Sequence, residues 1–324
     1  MNMETVKIIE NKSEIGAAKW GAGMGIDALK TVAKTLQDPF FGQYPNVKIQ
    51  DENDTLFEET PYRYARRIDK ILSLCSRLSH EVAEVMKEGK YFPVVISGDH
   101  SPAAGTIAGI RKANPGKRIG VIWIDAHADI HTPYTTPSGN MHGMPLCVSL
   151  GIDHKEHQLH DPSKETIEHW EKFKKLGGEG ADILPTDLVY IGVRDTEPAE
   201  DELMEINNLK NYTVDNFRNM GVDKMGKEIT EYLSACDIIY VSFDVDCLDS
   251  SISVGTGTPV PGGFWAHEAE KIVKEVLKNP KVCCFEMVEI NPTLDNKGNK
   301  MAEVAFDILK IAVHQIRRTK GINL

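Results

Sequence analysis

Short, nearly unbroken apolar runs alternate along this chain with longer segments whose apolar residues recur every three or four positions. Phe92-Pro93-Val94-Val95-Ile96-Ser97, Val121-Ile122-Trp123-Ile124 and Ile238-Ile239-Tyr240-Val241-Ser242-Phe243 read as buried strands. Further strands are predicted at 187–193 and 282–288. Ile68, Ile71, Leu72, Cys75, Leu78, Val82 and Met86 recur at helical spacing, and Gly89 follows as a C-cap. Segments 266–278 and 301–318 are amphipathic in the same way. Strand and helix patterns in alternation predict an α/β fold around a largely parallel sheet. Residues 151–186 are different: polar, rich in histidine and glycine, and read as a surface excursion with a short helix around 163–175.

Acidic residues and histidines gather where the apolar runs stop. Asp125-Ala126-His127-Ala128-Asp129 follows the second run, Asp244-Val245-Asp246 the third, and Gly98-Asp99-His100 the first. Residues two apart on an extended chain share a face, so Asp125, His127 and Asp129 are expected to point the same way. Burying carboxylates without partners is unfavourable. Ligands in parallel sheets bind beyond the carboxyl ends of the strands, where all three motifs lie. Leaving Asp99 aside, two histidines and four aspartates suffice for two ions sharing carboxylates. An oxygen-rich set favours a hard or borderline ion such as Mn²⁺ over thiolate-bound zinc. A pair of such ions supports metal-assisted hydrolysis. One Asp-x-Asp alone would equally serve as a helix or turn cap; three such motifs, each after a strand, point to metal.

Composition narrows the class. The chain has 324 residues, 41% hydrophobic and 26% charged, as expected for globular material. A net charge of -11 argues against a nucleic-acid partner. No run approaches the roughly 18 apolar residues of a membrane span, and the N-terminus lacks a signal-peptide pattern. Six cysteines in this length are no disulfide framework. Cys75, Cys236, Cys283 and Cys284 read as core thiols, and a reducing cytoplasm is expected. The ligand motifs must converge on one sheet, so residues 1–324 are expected to form a single domain.

Gly98-Asp-His-Ser101, Asp125-Ala-His-Ala-Asp129, Ser138-Gly-Asn-Met-His142-Gly143, Ser242-Phe-Asp-Val-Asp246 and Gly257-Thr-Pro-Val260 together resemble the ureohydrolase family, and within it the arginases most. The resemblance covers about residues 90–295. It implies a three-layer αβα fold and two Mn²⁺ per subunit. One ion would be held by His100, Asp125, Asp129 and Asp244, the other by His127, Asp125, Asp244 and Asp246. His142 matches the family's proton-shuttling histidine, Glu289 the glutamate that pairs with the guanidinium, and Thr258 a pocket threonine. A hydroxide bridging the ions would attack the guanidinium carbon, with Asp129, His142 and Glu289 as the catalytic set. Family members commonly form trimers or hexamers, so a homo-oligomer is implied.

The chemistry of these residue types agrees. A carboxylate accepts a planar guanidinium through two parallel hydrogen bonds, and a histidine titrates in the right range to protonate a departing amine. Ser138 and Asn140 match the positions that hold the substrate's α-carboxylate in arginases, which favours L-arginine over agmatine. Arg194-Asp195-Thr196-Glu197-Pro198-Ala199-Glu200 matches the segment that recognises the α-amino group, with Asp195, Glu197 and Glu200 as contacts. The chain departs from that pattern twice. His131 stands where asparagine is usual, and Glu197 where aspartate is usual, so another guanidino compound remains open.

Other readings compete. His154, His157 and His160 recur at three-residue spacing and suggest either another metal site or a solvated loop. Gly21-Ala-Gly23-Met-Gly25 lacks the third glycine of a dinucleotide-binding loop and reads as a turn. Residues 255–263 have no lysine after their glycines, so they form no P-loop and instead shape the pocket mouth. A single-zinc deacetylase and a metal-binding protein without activity are the rivals in function.

Overall fold

The computed structural model describes residues 3–322. Eight strands form one sheet: β1 Thr5–Asn11, β2 Asn46–Ile49, β3 Tyr91–Ser97, β4 Ile119–Ile124, β5 Leu188–Ile191, β6 Lys210–Tyr212, β7 Ile238–Asp244 and β8 Val282–Val288. Their order is β2-β1-β3-β8-β7-β4-β5-β6. Every pairing is parallel, so the sheet goes beyond the mostly parallel expectation.

The apolar runs exist because both sheet faces are covered. In β4, Ile122 and Ile124 pack into one core with the helices Gly25–Thr35, Ala266–Val276 and Lys300–Lys320. The alternate residues Ile119, Val121 and Trp123 pack into a second core with the helices Ile68–Glu88 and Ala103–Ala113. The result is a three-layer αβα sandwich. Close approach of the last two helices needs glycine. A Cβ on Gly105 would sit 2.9 Å from Cys75 Cα, and one on Gly109 would sit 2.7 Å from the Ser79 carbonyl.

The predicted elements form with small shifts. The long helix ends at Gly89 in the left-handed conformation, φ 67°. The helix near 163–175 runs Lys164–Lys174, and the Ser163 hydroxyl caps it by accepting from Thr166 N–H. Three expectations need correction. Residues 151–186 are not wholly a surface excursion, because Trp170 and Phe173 insert into the second core. The strand expected at 187–193 stops at Ile191, because Gly192 turns the chain with φ 99°. Cys283 is half-buried, whereas Cys75, Cys236 and Cys284 are buried. Gly21–Gly25 is a turn leading into a helix, as its spacing predicted.

Strand order places the site. β3, β8, β7 and β4 are adjacent, so the residues after their carboxyl ends face one another. Those residues are Gly98–His100, Glu289, Asp246 and Asp125–Asp129.

Candidate active site

His100 leaves β3 and directs Nδ1 at three carboxylates: Asp125 Oδ2 at 3.1 Å, Asp129 Oδ2 at 3.1 Å and Asp244 Oδ2 at 3.2 Å. His127 directs Nδ1 at Asp246 Oδ2, 3.0 Å away, and at Asp125 Oδ1, 3.5 Å away. Asp125 therefore faces both groups, one oxygen to each. Asp244 reaches the His100 group through Oδ2, while its Oδ1 accepts the Asp246 backbone N–H at 2.8 Å. The even spacing of Asp125, His127 and Asp129 predicted a common face, but the structure divides them between two groups. β4 ends at Ile124, and Asp129 adopts a left-handed φ of 53°, so alternation no longer governs the segment.

The donor set fits cations. His100 Nδ1 and Asp125 Oδ2 are buried without a hydrogen-bond partner. Burial and the charge of Asp125 push Asp129 up to about 6. Burial with the charges of Asp246 and Asp125 raises Asp244 well above the usual carboxylate range. Four carboxylates this close stay ionised together only against compensating positive charge. Asp99 is not part of either group: its oxygens accept from Gly16 N–H and Ser101 N–H, both at 2.8 Å, and tie down the N-terminal loop.

Four supporting residues escaped the motif reading. Ser242 Oγ lies 2.7 Å from His100 Nε2, and the His100 ring stacks on Trp123 with centroids 4.0 Å apart. A partner on the second ring nitrogen is what fixes the orientation of a ligating imidazole. Glu286, buried below the site, accepts from Ser97 Oγ and Tyr240 OH. Arg194, expected in the substrate segment, donates to the carbonyls of Gly192, Asp246, Leu248, Val260 and Pro261. It thereby locks the loop after β5 to the loop that carries Asp246.

A cavity of about 230 Å³ opens over these groups. His142 and Glu289 stand on its wall. Glu289 has a left-handed φ of 66°, and its Oε1 accepts from His100 N–H at 2.9 Å. His142 Nδ1 lies 3.2 Å from the same oxygen. Burial disfavours a charged His142, but the hydrogen bond and charge of Glu289 outweigh it and raise the ring to about 9. Thr258 Oγ1 lies 3.2 Å from Asp246 Oδ2 on the opposite side.

The outer end of the cavity gathers the remaining expected residues: His131, Ser138, Asn140, Asp195, Glu197 and Glu200 all line it. Gly139 holds the Ser138–Asn140 turn with φ 77°; a Cβ there would sit 2.1 Å from the Arg63 carbonyl. Asp195 Oδ2 is 3.5 Å from His127 Nε2. Glu200 is buried, and its carboxylate accepts from the backbone N–H of Glu197 and Ile130, so it also braces the wall. Burial and the charge of Asp129 push Glu200 up to about 8. The two positions that depart from the arginase pattern touch: His131 Nε2 is 3.1 Å from Glu197 Oε2. Burial, with His154 and His157 nearby, lowers His131 to about 4, so a neutral ring donates to Glu197. Of the three spaced histidines, His160 leaves the others: its Nε2 donates to the Thr136 carbonyl and its ring stacks on Tyr64.

Comparison with known proteins places this geometry. A family model described as the arginase family matches residues 6–314. An arginase of Bacillus subtilis (strain 168) is 34% identical over 316 residues, covering 95% of this chain and 97% of that one. The native structure of the arginase from Bacillus caldovelox superposes with a TM-score of 0.80 at 31% identity, covering 99% of this chain and 100% of that one. The formimidoylglutamase of Bacillus subtilis superposes with a TM-score of 0.74 at 20% identity, covering 100% of this chain and 89% of that one, a likeness of fold. On its sequence and on the architecture that brings these strand ends together, the chain belongs to the arginase family.

Proposed function

We propose that this chain, acting as one domain over residues 1–324, is a binuclear manganese hydrolase that converts L-arginine to L-ornithine and urea. His100, Asp125, Asp129 and Asp244 would hold one ion, and His127, Asp125, Asp244 and Asp246 the other. Two bound ions would supply a water acidified toward neutrality as the nucleophile. The observation that carries the reading is a single cavity lined by both metal-ligand groups, by His142 with Glu289, and by Ser138 with Asn140.

Glu289 accepts the guanidinium, with its charge and its remaining oxygen directed into the cavity. That contact turns the guanidinium carbon toward the metal groups. His142, kept protonated by Glu289, gives its proton to the departing amine. At the far end, Asn140 N–H and the Ser138 hydroxyl donate to an α-carboxylate, while Asp195 and Glu197 face the α-amino group. The relatives named as arginases support this choice of substrate. Cytoplasmic location and a trimer or hexamer belong to the same proposal; among the described residues no helix is long and apolar enough to cross a membrane.

One observation favours a second reading. Because His131 donates to Glu197, part of the charge offered to an α-amino group is already engaged. A guanidino acid without that amino group would lose less in this site. The test is urea release by Mn²⁺-loaded protein from L-arginine, agmatine, 4-guanidinobutyrate and 3-guanidinopropionate in parallel. Highest kcat/KM on L-arginine is expected; preference for another compound overturns the substrate and keeps the hydrolytic centre. No urea from any of them overturns the activity.

A further inference from the structure

We propose that His154, His157 and Glu202 form a separate transition-metal site that ties the loop around 151–160 to the helix Pro198–Ile206. This site lies outside the two ligand groups described above and shares no residue with them.

His154 carries the argument. Its side chain is buried, with the residue only 4% exposed, and neither ring nitrogen has a hydrogen-bond partner. An imidazole buried with both nitrogens unpaired calls for an explanation, since one is always a donor and the other an acceptor or ligand. The backbone holds it there in the left-handed region, φ 52°, which a residue with a Cβ seldom adopts. His154 Nε2 stands 3.8 Å from Glu202 Oε2, too far for a hydrogen bond. Two ligand atoms of one tetrahedral zinc stand about 3.4 Å apart, given bonds of about 2.1 Å. His157 Nδ1 contacts the same Glu202 oxygen. The two rings lie 5.7 Å apart between centroids. Closing on an ion needs rotation only of the partly exposed side chains, His157 at 27% and Glu202 at 40%, while His154 stays in place. Among the described residues, Glu202 has no lysine or arginine at ion-pair distance to compete.

Two imidazoles and one carboxylate select Zn²⁺, Co²⁺, Ni²⁺ or Cu²⁺ over the harder ions that suit an oxygen-rich site. A water from the solvent side would complete four-coordination. Sequence spacing alone pointed to His160 as the third histidine, but that ring is engaged with Thr136 and Tyr64. Glu202, 45 residues beyond His157, takes its place. The helix bearing Glu202 also carries Glu200 and begins beside Glu197, so an ion here would fix the wall of the cavity's outer end.

The experiment uses the full chain. Mn²⁺-loaded protein is incubated with a slight excess of Zn²⁺ and desalted, and both metals are counted by mass spectrometry. Wild type is expected to gain one Zn²⁺ per chain without losing Mn²⁺. Glu202→Gln and His157→Gln should each gain none, while His160→Gln should behave as wild type. The expected zinc-bound wild type also melts at a higher temperature than the zinc-free protein, a shift absent in the first two variants. Zinc taken up by wild type only in exchange for Mn²⁺ overturns the proposal without reference to any variant. So does equal zinc in wild type, Glu202→Gln and His157→Gln. Every ligand of the two groups under the cavity is intact in these variants, so this outcome is independent of the proposed hydrolysis.

Discussion

His142 Nδ1 lies 3.2 Å from Glu289 Oε1, so the proposed proton donor and the proposed guanidinium acceptor are hydrogen-bond partners. They come from a loop after β4 and from the end of β8, and they meet because those strands converge on one crevice. Their roles are therefore coupled. His142→Ala is expected to lower kcat by about 10²–10⁴-fold, the usual range for a lost general acid, with Mn²⁺ content unchanged. Glu289→Gln is expected to raise KM and also lower kcat, because His142 loses the charge that holds its proton. The double variant should lose less than the two single effects combined. Full additivity, or loss of metal in His142→Ala, would contradict the pairing.

Asp125 presents one oxygen to His100 and the other to His127. Asp125→Asn is expected to weaken both metals together, whereas His127→Asn should spare the ion on the His100 side. Metal counting after desalting distinguishes the two. Two fully bound ions in Asp125→Asn would remove its bridging role.

Ser242→Ala takes away the hydroxyl 2.7 Å from His100 Nε2. Loss of such an outer partner typically weakens metal affinity about 10–100-fold. Mn²⁺ titration followed by activity should show one site weakened and the other unchanged. Identical affinities would reduce Ser242 to packing.

His131 and Glu197 are one determinant in two places, since their side chains meet at 3.1 Å. Restoring the usual residues singly, by His131→Asn or Glu197→Asp, should change kcat/KM for L-arginine by amounts that do not add. A coupling of about 0.5–3 kcal/mol is typical for residues in contact. Additive single effects would show that the pair does not act jointly on the substrate.

Asp182 is buried beside Arg111, and burial pushes its carboxyl up to about 7 despite that guanidinium. An unfolded aspartate titrates near 4. The folded protein therefore binds this proton more tightly, and the contribution of Asp182 to stability falls as pH rises from about 4 to about 7. Relative to wild type, Asp182→Asn should gain stability at pH 8 compared with pH 5, by about 1–3 kcal/mol. Urea unfolding at the two pH values measures it; a parallel shift at both would place the effect in packing instead.

Much of this protein was legible in its sequence because the relevant physics is local. A strand covered on both faces must be apolar along its whole length, so β3, β4, β7 and β8 announced themselves. Acidic and histidine residues directly after such strands have few other reasons to be there, so His100, Asp125, His127, Asp129, Asp244 and Asp246 could be named together. Gly89 and Ser163 acted as helix boundaries through interactions within a few residues. What sequence spacing could not decide is who faces whom. The insertion of β8 and β7 between β3 and β4 brings Glu289 under His142 and Ser242 behind His100, across 147 and 142 residues. The same convergence joins His131 to Glu197, lets Arg194 lock Asp246, and exchanges His160 for Glu202 beside His154. Periodicity reports only which face of its own element a residue occupies. Partners across elements are set by strand order and backbone turns such as those at Asp129 and Glu289, and these exist only once the sheet has assembled.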